Sequence, residues 1–303
     1  MARIVIPHLD DLGMCRAGNA AFRTLADAGV VTCGSVMVPC PWFSEIAAWA
    51  TCEKTLDLGV HLTLTSEWQH YRWRPLTGAS PASGLVDDDG FMPRDVAGLA
   101  ARVVPEAAEA ELRAQIERAL AAGLRPTHID AHMAAAMLPS LLDAHVRLAE
   151  EYGVFPVLPR RIRFAPDAAA YAATLAVLEA RNRPLVDGIR GTIPQTGEAL
   201  AAGWRETLAG LPEGVTHLAL HAVEPGDFAA ISPLHAPWRE AEWSLLRSGG
   251  FTAMLRQADI ATMGLREMQA RWRAASGWGL AECGGAPGPP SNGKTDPGLA
   301  LEM

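Results

Sequence analysis

Three apolar runs in this chain each finish in acids or histidines, and that repeated ending constrains the fold more than any other feature. The runs are Ile4-Val5-Ile6-Pro7-His8-Leu9-Asp10-Asp11, Leu58-Gly59-Val60-His61-Leu62-Thr63-Leu64 and Thr127-His128-Ile129-Asp130-Ala131-His132. Each places ionisable groups where a buried strand should end. Polar side chains gathered from distant parts of a chain suit a site on the rim of a parallel sheet, where carboxylates and imidazoles can share one metal. The pattern points to metal-dependent hydrolysis.

The segments between these runs support a parallel sheet. Strand-like stretches are expected at Arg3 to Pro7, Val31 to Val38, Asp57 to Leu64, Thr127 to Asp130 and Thr216 to Ala222. Helical periodicity falls at Ala17 to Ala28, Ala107 to Ala122, Pro139 to Tyr152, Trp238 to Arg247 and Gly264 to Ala274. Gly29, Gly123 and Gly153 each follow a helical run, as a C-terminal stop does. Alternation of this kind predicts parallel strands with helical crossovers, in an open sheet or a barrel. No composition break interrupts residues 1–275, so one domain is expected. Residues 276–303, which include Gly284-Gly285-Ala286-Pro287-Gly288-Pro289-Pro290, read as a disordered tail.

Composition removes several function classes. With 49% hydrophobic and 20% charged residues among 303, the chain can bury a large core. A net charge of −8 and the lack of a Lys/Arg cluster argue against nucleic acid as a partner. No apolar stretch reaches the ~20 residues that cross a bilayer, and Met1 leads straight into a strand with no leader pattern. Five cysteines, odd in number and without a Cys-x-x-Cys pair, predict reduced thiols. A cytoplasmic location, no membrane partner and a chain compatible with a homodimer follow as expectations. Walker, dinucleotide-binding and Gly-x-Ser-x-Gly signatures are absent.

Strand parity sharpens the chemistry. Neighbouring strand residues point to opposite faces, so Asp10 and Asp11 can converge only if the strand ends there and the chain turns, as Gly13 suggests. The same acid pair would also serve as a helix N-cap and first-turn acid. In Asp57 to Thr65, His61 shares the polar face with Asp57, Gly59 and Thr63. His128, Asp130 and His132 share a face as well, but alternate strand residues lie ~6.5 Å apart. Only one of the two histidines can therefore reach an ion, and Asp130 can orient a histidine ring. His221, at the end of Thr216 to Ala222, is the better placed of His217 and His221 for a general acid. Trp68 and Trp73, in the aromatic stretch after His61, offer flat faces to a sugar or pack within their own domain. His8, His70, His145 and His235 carry no assignment.

In combination these residues resemble the YdjC-type carbohydrate deacetylases, the group that includes chitooligosaccharide deacetylase and HpnK-like proteins. Leu9-Asp10-Asp11-Leu12-Gly13 and Gly18-Asn19-Ala20 are similar to its opening motif, and Gly29-Val30-Val31-Thr32 to its next strand entry. Gly59 to Thr65 resembles its Gly-x-His-x-x-Leu-Thr segment, and Pro126 to His132 its Pro-Thr-His-x-Asp-Ser-His run. Arg239 and Glu242 fit its late Arg-x-x-Glu helix. The resemblance spans roughly residues 1 to 270.

It implies a distorted (β/α) TIM-like barrel holding a divalent metal on Asp11, His61 and His132. Magnesium is the first expectation, and zinc or iron(II) also suits the ligand set. Asp10 would be the general base toward a metal-activated water attacking an N-acetyl amide, with His221 as the acid and His128 and Asp130 in support. The substrate implied is an N-acetylated sugar or glycoside. Met133, Ala134 and Ala136 stand where the family carries further histidines, His221-Ala222-Val223 replaces its His-Pro-Gly, and the Glu67 to Arg74 insert is long. These differences point away from chitooligosaccharides. Two rivals are a PIG-L-type de-N-acetylase, whose His-Pro-Asp-Asp is here His8-Leu9-Asp10-Asp11, and a non-catalytic sugar-binding protein.

Overall fold

The structure is a computed structural model describing residues 2–161 and 167–278. Its strands are β1 (Arg3–Leu12), β2 (Cys33–Val36), β3 (Leu58–Leu62), β4 (His128–Ala131), β5 (Phe155–Pro156), β6 (Pro159–Arg161), β7 (Val186–Gly191), β8 (Gly214–Leu220) and β9 (Ala261–Thr262). They form one sheet in the order β5-β4-β3-β2-β1-β8-β7-β6, with β9 beside the start of β1, and every pairing is parallel. The two ends of that order, β5 and β6, are separated in the chain only by Val157 and Leu158. Three Cα steps of about 3.8 Å cannot hold them more than about 11 Å apart. The sheet therefore curls back on itself as a distorted (β/α) barrel in a single α/β domain.

Helices Arg16–Asp27, Phe43–Cys52, Pro105–Ala121 and Leu142–Tyr152 make the crossovers from β1 through to β5. The first is capped from far away: the Asp227 carboxylate accepts the Arg16 and Ala17 N–H groups, each at 2.9 Å. Pro105 opens the third where a missing N–H costs nothing. That helix buries Glu111 and Gln115. The Gln115 amide bonds the N–H and C=O of Thr63, and Glu111 accepts from Leu76 and Thr77. The polar pair thus ties the chain beyond β3 to the barrel wall.

Alternation along the strands separates two environments. Leu9, Val36, Val60, Leu62, Ile129, Leu218 and Leu220 belong to the apolar layer beneath the helices. The opposite parity supplies His8, Asp10, Ser35, Gly59, His61, His128, Asp130 and His217, which fill the barrel interior with hydrogen-bonding groups. A smaller apolar cluster of Met14, Met37, Trp68, Trp73, Met92 and Phe228 covers one side of the rim.

All five expected strands and all five expected helices are present with shifted ends. The largest shift is in β1, expected to finish at Pro7 but extending to Leu12. Pro7 lacks a donor, yet its carbonyl still accepts from Thr32 at 2.9 Å and it stays in register with Leu218. The final helix runs to Ser276, and Trp278 packs over Gly153, whose φ of 61° ends Leu142–Tyr152. The rest of the expected tail, residues 279–303, lies outside the described residues, as does Cys283. Cys15, Cys33, Cys40 and Cys52 are free thiols. Among the described residues, no helix is long and apolar enough to cross a membrane.

Candidate active site

Two adjacent acids reach one site because β1 carries a bulge. Its register with β2 steps from Leu9↔Gly34 to Leu12↔Val36, three residues against two. Asp11 takes up the extra residue at φ 62°, a left-handed conformation that Asp tolerates better than most side chains. Asp10 keeps its strand position and points into the barrel, while the turn at Asp11 swings its carboxylate onto the same rim.

Asp11, His61 and His132 meet there, with one ligand atom from each lying within 4.8 Å of the others. Asp11 Oδ1 is 3.5 Å from His61 Nε2 and 3.2 Å from His132 Nδ1. Neighbouring ligands on a cation with bonds of about 2.0–2.2 Å stand roughly 3 to 3.5 Å apart. The same Asp11 Oδ1 is buried and accepts no well-formed hydrogen bond, whereas Oδ2 accepts Arg239 Nη1 at 2.8 Å. A buried carboxylate oxygen facing two imidazole nitrogens fits a divalent ion, which would satisfy all three groups at once.

The supporting groups aim those ligands. His61 Nδ1 lies 2.9 Å from Asp130 Oδ1 and 3.0 Å from Ser35 Oγ, and Ser35 donates to Asp130 Oδ2 at 2.9 Å. This leaves Nε2 directed at Asp11. His132 Nε2 is held at 3.1 Å by Glu67 Oε2, which leaves Nδ1 for the site. Trp73 stands edge-on to the His132 ring at 6.2 Å. Strand β4 stops at Ala131, and Met133 and Ala134 follow at φ 50° and 58°. His132 therefore leaves the strand alternation. His128 stays within it and turns to His8, so the two histidines part company as their spacing predicted.

Charge balance accounts for the protonation states. Burial works against charge on Asp11, but Arg239 and the two histidines hold its carboxyl well below the usual range. Burial likewise disfavours His132⁺, yet Glu67 and Asp11 lift its pKa to about 9. His61 is raised well above its ordinary value, since Asp130, Asp11 and Asp10 outweigh its burial. Asp10 is lowered, chiefly because the hydrogen bond from His8 overcomes desolvation.

His221 Nε2 is 3.8 Å from Asp10 Oδ2, and its ring stands 6.5 Å from that of Trp238. Burial lowers its pKa, so it is neutral near pH 7. Its backbone N–H is anchored at 2.7 Å by Glu242, on the helix that carries Arg239. Trp68 and Trp73 are both buried, donating to Met14 Sδ and to the Thr65 carbonyl. Half-buried Tyr71, His235 and Trp238, with exposed Leu234, form the more accessible surface nearby.

The assigned residues Asp10, Asp11, His61, Asp130, His132 and His221 thus lie together at one end of the barrel, whereas His128 sits deeper, against His8 and Thr127. Sequence reasoning missed Ser35, Glu67 and His8. A lone serine in the apolar run Val31 to Val38 was a signal for the first. Glu67 follows β3 in an irregular loop, where no periodicity aims it at a histidine. His8 shares the parity of Asp10, and that was readable.

A family model described as YdjC-like protein matches residues 4–257. The chain is 41% identical over 160 residues to a carbohydrate deacetylase of Thermus thermophilus, a stretch covering 53% of this chain and 55% of that protein. It is 36% identical over 150 residues to a carbohydrate deacetylase of Brevibacillus brevis, covering 50% and 57%. The chain therefore spans little more than half the length of these curated relatives. A solved structure from Enterococcus faecalis V583, described as a candidate cellobiose-phosphate cleavage protein, superposes with a TM-score of 0.73 at 22% identity. It covers 88% of this chain and 99% of its own, and it shares the fold.

Proposed function

This chain belongs to the YdjC-like family, and on that premise we propose that it is a metal-dependent hydrolase removing an N-acetyl group from an amino sugar or a glycosylated small molecule. The observation that carries this reading is the buried, unbonded Asp11 Oδ1 facing His61 Nε2 and His132 Nδ1. The carbohydrate deacetylases it resembles suggest the substrate class.

Asp11, His61 and His132 would hold the ion. The chemistry such a divalent cation would supply is polarisation of the acetyl carbonyl and a lowered pKa for water, with magnesium proposed first and zinc the alternative. Asp10 is ionised, next to that group and not among its ligands, so it takes the water proton as attack begins. His221, across from Asp10 and neutral before the reaction, takes up the proton that Asp10 removes from water and hands it to the departing amine. Arg239 fixes Asp11 through Oδ2, which leaves Oδ1 facing the two histidines. Asp130 and the packed Trp73 keep the ligand rings aimed, and Trp68 packs against Arg239.

The test combines elemental analysis with acetate release from a panel of N-acetyl sugars and glycosides. Asp10→Asn should lose about 10² to 10⁴ of turnover with its metal retained, whereas His61→Ala and His132→Ala should lose the metal. Tight sugar binding without acetate release by metal-loaded protein would make it a binding protein instead.

A further inference from the structure

A file of buried polar groups leads away from Asp10 through the barrel interior. His8 Nδ1 is 2.6 Å from Asp10 Oδ1, and His8 Nε2 is 2.9 Å from His128 Nε2. His128 Nδ1 is 2.8 Å from Thr127 Oγ1, which in turn forms a short hydrogen bond with Asp57 Oδ1. Asp57 Oδ2 accepts the Arg266 N–H at 2.7 Å. His8 and His128 have no accessible surface and Thr127 almost none. Gly59 makes the path, since a Cβ there would lie 2.3 Å from His128 Cδ2.

From these contacts we infer that His8 is a positioning residue for Asp10, its ring held by a hydrogen-bonded file through His128 and Thr127 to Asp57. The inference rests on the role given above to Asp10.

Donor accounting fixes the end of the file that faces Asp10. The Asp10 carboxylate only accepts, so His8 must present a proton on Nδ1. His8 Nε2 is met by His128 Nε2, and burial keeps His128 neutral. Thr127 donates its hydroxyl proton to Asp57 Oδ1, which anchors the far end. Contacted at both nitrogens, the His8 ring cannot turn its Nδ1–H away, and the Asp10 carboxylate is held against rotation.

His8, Asp10, Asp130 and His217 are also close enough to suggest a second ion. A separation of 2.6 Å between His8 Nδ1 and Asp10 Oδ1 is a hydrogen bond, shorter than the roughly 3 Å between neighbouring ligands on one cation.

Nitrogen-15 NMR of the metal-loaded, full-length chain tests the file without reference to catalysis. His8 should carry a proton on Nδ1. Finding His8 Nδ1 unprotonated overturns the inference. Thr127→Val should move the His8 and His128 ring-nitrogen signals and lower kcat about 10-fold to 100-fold, with KM and metal content unchanged; an unchanged kcat would uncouple the file from Asp10. His8→Leu should lose kcat as Thr127→Val does, and His8→Asn should recover most of it, the amide nitrogen lying where Nδ1 lay. Two ions per chain, falling to one in His217→Ala, would replace the file with a second metal. If Asp10→Asn is active while His8 Nδ1 is protonated as stated, the role of Asp10 fails and the file stands as structure.

Discussion

Gly59 and His128 occupy one space: the glycine on β3 lies directly under the imidazole on β4, with only 2.3 Å from its ideal Cβ to the ring. A contact that close is one no real side chain adopts. The sequence holds glycine at 59 for the sake of a residue 69 positions later. Gly59→Ala should therefore destabilise the protein by about 1–3 kcal/mol through overpacking. Gly191→Ala, where a Cβ would meet nothing, should stay within about 0.5 kcal/mol. Urea unfolding of the two variants checks this, and equal stabilities would mean that the ring is free to move aside.

Metal binding should release protons. In the metal-free protein His132 has a pKa of about 9 and His61 is raised well above its ordinary value, so both are protonated at pH 7. Each must deprotonate to become a ligand. Isothermal titration at pH 7 in buffers of differing ionisation enthalpy should show about two protons released per ion. Affinity should rise with pH until near pH 9. Release of no protons would place the ion elsewhere.

Arg239 compensates a charge that the ion would also compensate. Its guanidinium bonds Asp11 Oδ2 at 2.8 Å and packs against the rings of Phe228, Trp68 and Trp238. Arg239→Met removes the hydrogen bond to the buried Asp11 Oδ2, which should cost about 1–3 kcal/mol in the metal-free protein. Saturating metal should recover part of that loss. Thermal melts with and without the ion report it, and an identical loss in both states would separate Arg239 from the metal site.

Glu242 supplies a pH dependence of stability. Burial is the largest influence on it, and although Thr192, the His221 N–H and Arg239 pull the other way, its pKa rises from 4.5 to about 7. A carboxyl raised on folding stabilises fully below its unfolded pKa, and that contribution is lost as pH climbs through the folded value. The loss between about pH 4.5 and pH 7 and above is roughly 3 kcal/mol. Glu242→Gln can keep both hydrogen bonds, with its amide donating to Thr192 and its carbonyl accepting from His221. Its melting temperature should therefore gain on the parent protein from pH 5 to pH 8. A constant difference would show that Glu242 is ionised throughout.

Much of the barrel was legible because strand and helix periodicities are local. Alternation along Leu58 to Leu62 and His128 to Ala131 assigned the inward faces correctly, and the glycines after helices marked their ends. The elements not foreseen are β5, β6, β7 and β9, together with helices such as Phe43–Cys52, Ala168–Ala180 and Gly197–Ala209. Strands β5, β6 and β9 hold only two or three residues, too few to show a period. In Ala168–Ala180 the run is alanine-rich and apolar on several sides, which blurs the helical face.

The chain alone determined the residue types of the site and the faces they occupy, because strand parity depends only on neighbours in sequence. That Asp10 and Asp11 could both serve the site was decided by the bulge against β2, and a bulge exists only between paired strands. The partners Ser35, Glu67 and His8 also awaited tertiary structure, since hydrogen bonds across 26 to 120 residues depend on which strands the barrel sets side by side.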